Sequence, residues 1–296
     1  MSFLAIRHVT TYRYANPVNL GDHRMMLRPR DSHDLRLLGT RLNIEPQPSS
    51  LRWLYDVFGN SIAIASFSGS TTQLRFESAI ELEHFESTGS DCPLETYAET
   101  FPFSYSADEV PDLTRCIERH YSDPLREVDL WARRFERTDG RSNTLPLLTA
   151  MTQFVKQSGF KYIAREAEGV QIPAQTLRLR SGTCRDFALL MMEGARALGL
   201  AARFVSGYVY SPAADDGNTI HGGSTHAWVQ IYLPGSGWME FDPTNGIVGN
   251  RDLIRVAIVR DPSQAVPISG SWTGKGTDFL GMSVEVSVTS QRGSSL

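Results

Sequence analysis

Apolar and polar positions alternate with a period of two through the first part of the chain. Phe3–Tyr14, Leu20–Leu27, Leu35–Ile44, Leu51–Val57, Ser61–Phe67 and Gln73–Phe85 are short segments rich in Val, Ile, Thr and aromatic residues. Turn residues punctuate them at Pro29, at Pro46 with Pro48, at Gly59-Asn60 and at Gly69. This pattern predicts strands joined by turns. No helical periodicity interrupts it, so residues 1–90 are expected to form an all-β sandwich-like domain.

The pattern then changes twice. Between Glu77 and Glu99 the chain has acidic residues and neither Lys nor Arg, and Pro93, Pro102 and Pro111 follow. Residues 91–111 therefore read as a linker that hugs the surface. Asp112–Tyr121, Leu125–Arg137 and Thr144–Ser158 carry apolar residues at helical spacing, with Asp123-Pro124 as a helix start and Gly159 as a helix stop. Period two returns in Phe204–Tyr210, His226–Leu233, Trp238–Phe241, Leu253–Val259 and Met282–Val288. Helices followed by strands predict an α+β core over 112–250. Residues 251–290 are expected to pack as strands on the core or the domain junction, and 291–296 to form a tail.

Composition narrows the function. The chain has 296 residues, 29 basic against 33 acidic side chains and a net charge of −4. That balance lacks the basic footprint of a nucleic-acid binder. The longest apolar run, Phe187–Met192, is far shorter than the ~20 residues that span a bilayer. Neither nucleic acid nor membrane is expected as a partner, and with no signal-peptide pattern the expected location is cytoplasmic. Three cysteines, Cys92, Cys116 and Cys184, then imply free thiols, available for packing, metal binding or chemistry.

Cys184 is the one placed for chemistry. In Ser181-Gly182-Thr183-Cys184-Arg185-Asp186, Thr183 and Asp186 have capping-box spacing, so a helix should begin at Cys184. Phe187, Ala188, Met191, Ala195 and Leu198 would form its core face. A thiol on the first turn meets the positive end of the helix dipole, which favours thiolate. A buried structural cysteine is the competing reading, and a partner base decides against it. His226 supplies that base. If Leu233–Gly237 forms the hairpin loop, Tyr232 pairs with Trp238 and Trp228 with Asp242, which sets His226 and Asp242 diagonally on one face. Thiolate, imidazole and carboxylate in the order Cys, His, Asp are what acyl transfer needs.

At these residues the chain resembles the bacterial transglutaminase-like superfamily, whose members are described as candidate cysteine proteases. The matching motifs are Gly182-x-Cys184-x-Asp186-Phe187-Ala188, His226-Ala227-Trp228 and Gly237-Trp238-x-x-Phe241-Asp242-Pro243-Thr244-Asn245-Gly246. The front resembles the β-rich module that precedes this core. It does so through Thr11-Tyr12-Arg13-Tyr14 with Pro17-Val18, Leu27-Arg28-Pro29-Arg30, and Tyr55-Asp56-x-Phe58-Gly59-Asn60. The resemblance implies a papain-like α+β core with an antiparallel sheet, and Cys184, His226 and Asp242 as nucleophile, base and orienting acid. Relatives often carry Gln and His where this chain has Arg185 and Leu189.

The remaining candidates follow from the same reading. The Cys184 N–H with Tyr162 is the expected oxyanion site, and Trp228 is expected in the core or in the wall of the substrate cleft. Ser211–Gly223, which contains His221, reads as a lid. Zinc is not expected, because His221 and His226 lack metal-ligand spacing. Calcium is not expected, because there is no acidic ligand loop, and no cofactor is implied. The expected partner is a peptide or protein amide, hydrolysed through a Cys184 thioester. The alternatives are transfer to an amine, as in a true transglutaminase, and a non-catalytic scaffold.

Overall fold

The fold is a computed structural model describing residues 2–86, 93–163, 169–211 and 223–291. Strand β1 (Ser2–Arg28) is a single element where the sequence pattern predicts two. Its ladder with β5 shifts register between Arg13 and Val18, around Pro17, which has no N–H to give. β2 (Leu35–Glu45), β3 (Ser50–Tyr55), β4 (Ser61–Ser66) and β5 (Ser70–His84) complete the antiparallel order β2-β5-β1-β4-β3. Val18, Leu20, Met25, Leu74 and Phe76 fill the core of this module. The N-terminal region is β-rich, but its strands belong to a single bent sheet that also takes in two strands from the far end of the chain.

The stretch predicted as a linker is fastened to the core. Strand β6 (Thr100–Phe101) pairs with β7 (Ser142–Asn143), and Glu95 N–H donates to the Pro234 carbonyl at 2.9 Å. Helices α1 (Val110–Ile117), α2 (Glu127–Arg133) and α3 (Thr144–Gln157) follow. Asp123 does cap α2, accepting from Glu127 N–H at 2.8 Å and Val128 N–H at 3.0 Å. The helix starts later than Asp123-Pro124 predicts because Arg126 takes the left-handed conformation, at φ 54°.

Strand β8 (Lys161–Tyr162) pairs in parallel with β9 (Ser181–Gly182), and between them lies α4 (Pro173–Leu179), too short for periodicity to reveal. Helix α5 (Cys184–Ala197) is buried on every side, not on one face as the spacing predicts. Its polar residues Glu193 and Arg196 are tolerated there because they pair with each other at 3.0 Å. Arg119 also reaches Glu193, at 2.8 Å. β10 (Ala202–Tyr210), β11 (Gly223–Leu233), β12 (Gly237–Asp242), β13 (Ile247–Val248) and β14 (Leu253–Val259) form the antiparallel core sheet, in the order β13-β12-β11-β10-β14. Ala227, Val229, Ile231 and Leu233 pack with the apolar residues of α5 in the main core.

Residues 251–290 divide between the two sheets. β14 belongs to the core, whereas β15 (Ile268–Thr273) and β16 (Phe279–Gln291) both pair with β1. The junction has a core of its own, in which Leu4, Ile6, Ile80 and Leu82 meet Tyr208, Ile254 and Val256. The Tyr55-to-Asn60 motif docks here. The Asn60 side chain donates to the Ile258 carbonyl at 2.8 Å and accepts from the Ile258 N–H at 2.9 Å. No described helix is long and apolar enough to cross a membrane.

Candidate active site

The helix bearing Cys184 starts where its sequence predicts. Asp186 Oδ2 accepts from the Thr183 N–H at 2.8 Å and from the Thr183 hydroxyl at 2.9 Å. Its other oxygen accepts from the Gln171 N–H at 2.6 Å, which ties the loop before α4 to the helix start. Gly182 is required by this packing, because a Cβ there would lie 2.8 Å from the Asp186 Cβ. Asp186 therefore organises the backbone under Cys184.

The β11–β12 hairpin has the predicted register, with Tyr232 opposite Trp238, Leu233 opposite Gly237 and Val229 opposite Phe241. His226 and Asp242 meet diagonally as a result, with Nε2 of the imidazole 2.8 Å from Asp242 Oδ2. Asp242 is held in turn by the Thr244 N–H at 2.9 Å and the Asn245 Nδ2 at 2.7 Å. With Nε2 engaged, Nδ1 is the ring nitrogen left for the thiol, and the Cys184 side chain is hydrogen-bonded to His226. Cys184, His226 and Asp242 are all buried.

Burial alone pushes the Cys184 thiol up. The hydrogen bond and positive charge of His226, with hydrogen bonds from the Tyr162 hydroxyl and the Ala227 N–H, outweigh burial and hold the thiol below its ordinary value. Burial likewise opposes a charged His226, but the Asp242 carboxylate and the neighbouring Cys184 raise it. Both shifts favour a thiolate–imidazolium pair.

Tyr162 is brought to the same place. Its backbone pairs with Gly182, two residues before Cys184. The residue is 59% exposed, while its hydroxyl meets both the Cys184 side chain and the Cys184 backbone N–H. Burial of that end and the charge of Cys184 push the phenol up to about 12, so it stays protonated and able to donate.

Of its two expected places, Trp228 takes the core. It is 0% exposed, so it cannot wall a substrate cleft. Its ring stacks behind His226, with centroids 6.0 Å apart, and its Nε1 donates to Glu240 at 2.5 Å. It fits because Gly207 has no side chain, since a Cβ there would lie 2.9 Å from the Trp228 ring and 2.1 Å from the Ile254 carbonyl oxygen.

A cavity of about 330 Å³ opens beside Cys184 and His226, bounded by Val170, Ser206, Val266 and Pro267. Arg185, the departure from the usual Gln, donates to the Pro262 carbonyl at 2.6 Å and so pins the segment that forms one wall. Asn245 is a site residue that the sequence reading quotes in a motif without giving it a role. Its side-chain amide lies 3.2 Å from His226 Nε2, and the Lys156 ammonium donates to its backbone carbonyl at 2.7 Å. Cys116 is half-buried, and burial raises its thiol above the ordinary value. Cys92, His221 and nearly all of the predicted lid lie outside the described residues. Among the described residues no cluster of three His, Cys, Asp or Glu side chains could hold a metal ion.

The chain matches two family profiles, the bacterial transglutaminase-like N-terminal region over residues 4–83 and the transglutaminase-like superfamily over residues 132–243. An uncharacterized protein of Mycobacterium leprae is 26% identical over 96% of this chain and 98% of its own. A protein-glutamine gamma-glutamyltransferase of Pseudomonas aeruginosa is 38% identical over 24% of this chain and 11% of its own. The crystal structure of a candidate cysteine protease from Cytophaga hutchinsonii has a TM-score of 0.71 and 19% identity, and covers 100% of this chain and 92% of its own. It shares the fold. By the two profile matches, residues 4–83 form a bacterial transglutaminase-like N-terminal region and residues 132–243 a core of the transglutaminase-like superfamily.

Proposed function

We propose that this protein is a cysteine enzyme that cleaves amide bonds of peptides or proteins through a thioester on Cys184, in a core of papain-like type. The observation that carries this reading is the Cys184–His226 hydrogen bond, backed by the 2.8 Å contact between His226 and Asp242. The thiolate attacks the acyl carbon, and the carbonyl π electrons move onto oxygen. The Cys184 N–H and the Tyr162 hydroxyl are placed to receive that negative charge. As the C–N bond breaks, the His226 imidazolium gives its proton to the departing amine. Water then adds to the thioester with His226 as base, and the collapse releases a carboxylic acid and returns the thiol. Asp242 steadies the imidazolium and fixes its tautomer.

Hydrolysis is the leading outcome. Transfer to an amine is the second reading, favoured by the local likeness to a protein-glutamine gamma-glutamyltransferase. Val170, Val266 and Pro267 give one side of the cavity an apolar surface, while Arg185, Ser206, Thr225 and Ser263 line the rest. A peptide library incubated in ¹⁸O-water with a fluorescent primary amine separates the outcomes. A hydrolase puts ¹⁸O into a new carboxylate, a transferase leaves the amine on the product, and either activity disappears in Cys184→Ala. Turnover that persists in Cys184→Ala refutes the thioester route.

A further inference from the structure

The N-terminal module reaches the candidate active site through a chain of buried and part-buried contacts. Asp34 lies in the turn between β1 and β2 and is buried. Arg255 of β14 grips it with both guanidinium branches, Nη1 to Oδ2 at 2.8 Å and Nη2 to Oδ1 at 2.5 Å. The same Nη1 donates to Glu240 Oε1 at 2.9 Å, and Glu240 Oε2 accepts from the Trp228 indole. The Trp228 ring lies against His226, tilted only 24° from its plane. Glu240 is itself 3% exposed. A buried carboxylate keeps its place only while its partners do.

We propose that Asp34 is a positioning residue for His226, acting through Arg255, Glu240 and Trp228, so that the N-terminal module completes the active site instead of serving as an attached binding domain. This rests on the reading of Cys184 and His226 given above. The chemistry is geometric: the bidentate Asp34 fork sets where Arg255 points, and Arg255 shares Glu240 with Trp228 and with Gln230 Nε2, which donates at 2.7 Å. Ser32 at 2.6 Å and the Asn250 amide at 2.9 Å hold Asp34 from its other sides. His84, buried nearby, stays neutral because burial holds its imidazole below the ordinary value.

Asn60 provides a control built into the same interface. Its side chain hydrogen-bonds Ile258 of β14 and Asp56 of its own module, so it stands outside the hydrogen-bond chain from Asp34 to Trp228. The experiment measures the alkylation rate of Cys184 against pH in the full chain, for wild type, Asp34→Asn and Asn60→Ala, with thermal melts alongside. Asp34→Asn is expected to slow Cys184 between about 10- and 100-fold at pH 7, the range that a displaced reacting group produces. Asn60→Ala lowers the melting temperature and leaves the alkylation profile in place. Should Asp34→Asn fail to fold, Asp34→Glu takes its place and is read in the same way. A wild-type profile in the Asp34 variant, or equal slowing in Asn60→Ala, overturns the proposal while leaving the thioester reading intact. A wild-type Cys184 no faster than Cys116 overturns both.

Discussion

His226 Nε2 stands 2.8 Å from Asp242 Oδ2 because the turn of the β11–β12 hairpin sets Tyr232 opposite Trp238. Residues 16 apart in sequence thereby meet on one sheet face. One residue more or less in that turn would put the carboxylate on the other face.

Asp242→Asn keeps the shape but replaces the acceptor with a donor, which forces the His226 proton onto Nδ1 and blinds the base to the thiol. Acylation of Cys184 by an activated ester, followed as the burst of released p-nitrophenol, should fall about 10²-fold or more. Asn245→Ala should fall less, since it removes only the amide 2.7 Å from Asp242 Oδ2.

The pH dependence follows from the signs of the shifts. A free thiol becomes reactive as pH rises through ~8.5. Cys184 is lowered and His226 is raised to about 10, so alkylation of Cys184 should rise at lower pH than that of a free thiol. Acyl transfer, which needs the imidazolium proton, should decline only as pH rises towards 10. His226→Ala should move the alkylation curve to the alkaline side.

Tyr162→Phe separates two jobs of one hydroxyl. Removing an oxyanion donor costs roughly 10²- to 10³-fold in acyl transfer. Alkylation has no oxyanion, so at alkaline pH its rate should match wild type. Equal losses in both assays would assign Tyr162 to thiol activation alone.

Stability should respond to pH through Asp34. Burial works against its charge, but hydrogen bonds and charge from Arg255 hold the carboxyl well below the usual range. Such a group adds stability above the unfolded carboxylate value of ~3.9, which is lost as pH falls below it. Asp34→Asn should therefore melt lower than wild type at pH 7, with the gap closing in acid. Arg196→Ala, which leaves the fully buried Glu193 with one cation fewer, should cost about 3–5 kcal/mol in urea unfolding.

Much of this arrangement was legible in the sequence, because local rules govern it. The capping box set the start of α5, and period-two alternation in Ser224–Leu233 put His226 on its face, while the hairpin register stayed conditional on a loop over Leu233–Gly237. What escaped depends on distant parts of the chain. The spacing of α5 gave one apolar face, but Glu193 and Arg196 are buried as well, which their ion pair permits and which local spacing does not show. Pairing of β15 and β16 with β1, more than two hundred residues away, leaves no mark in periodicity. Trp228 reads as cleft wall or core alike, and only Gly207 on the neighbouring strand makes room for it inside. Asp34 carries no local signal, since its partner Arg255 lies in another sheet.

The central claim is that Cys184 is an activated nucleophile, and the most direct measurement is competitive labelling with iodoacetamide at pH 6.5, read by peptide mapping. Cys184 should be alkylated well ahead of Cys92 and Cys116, and His226→Ala should abolish that lead. Slow, comparable labelling of all three thiols in the wild-type protein would contradict it.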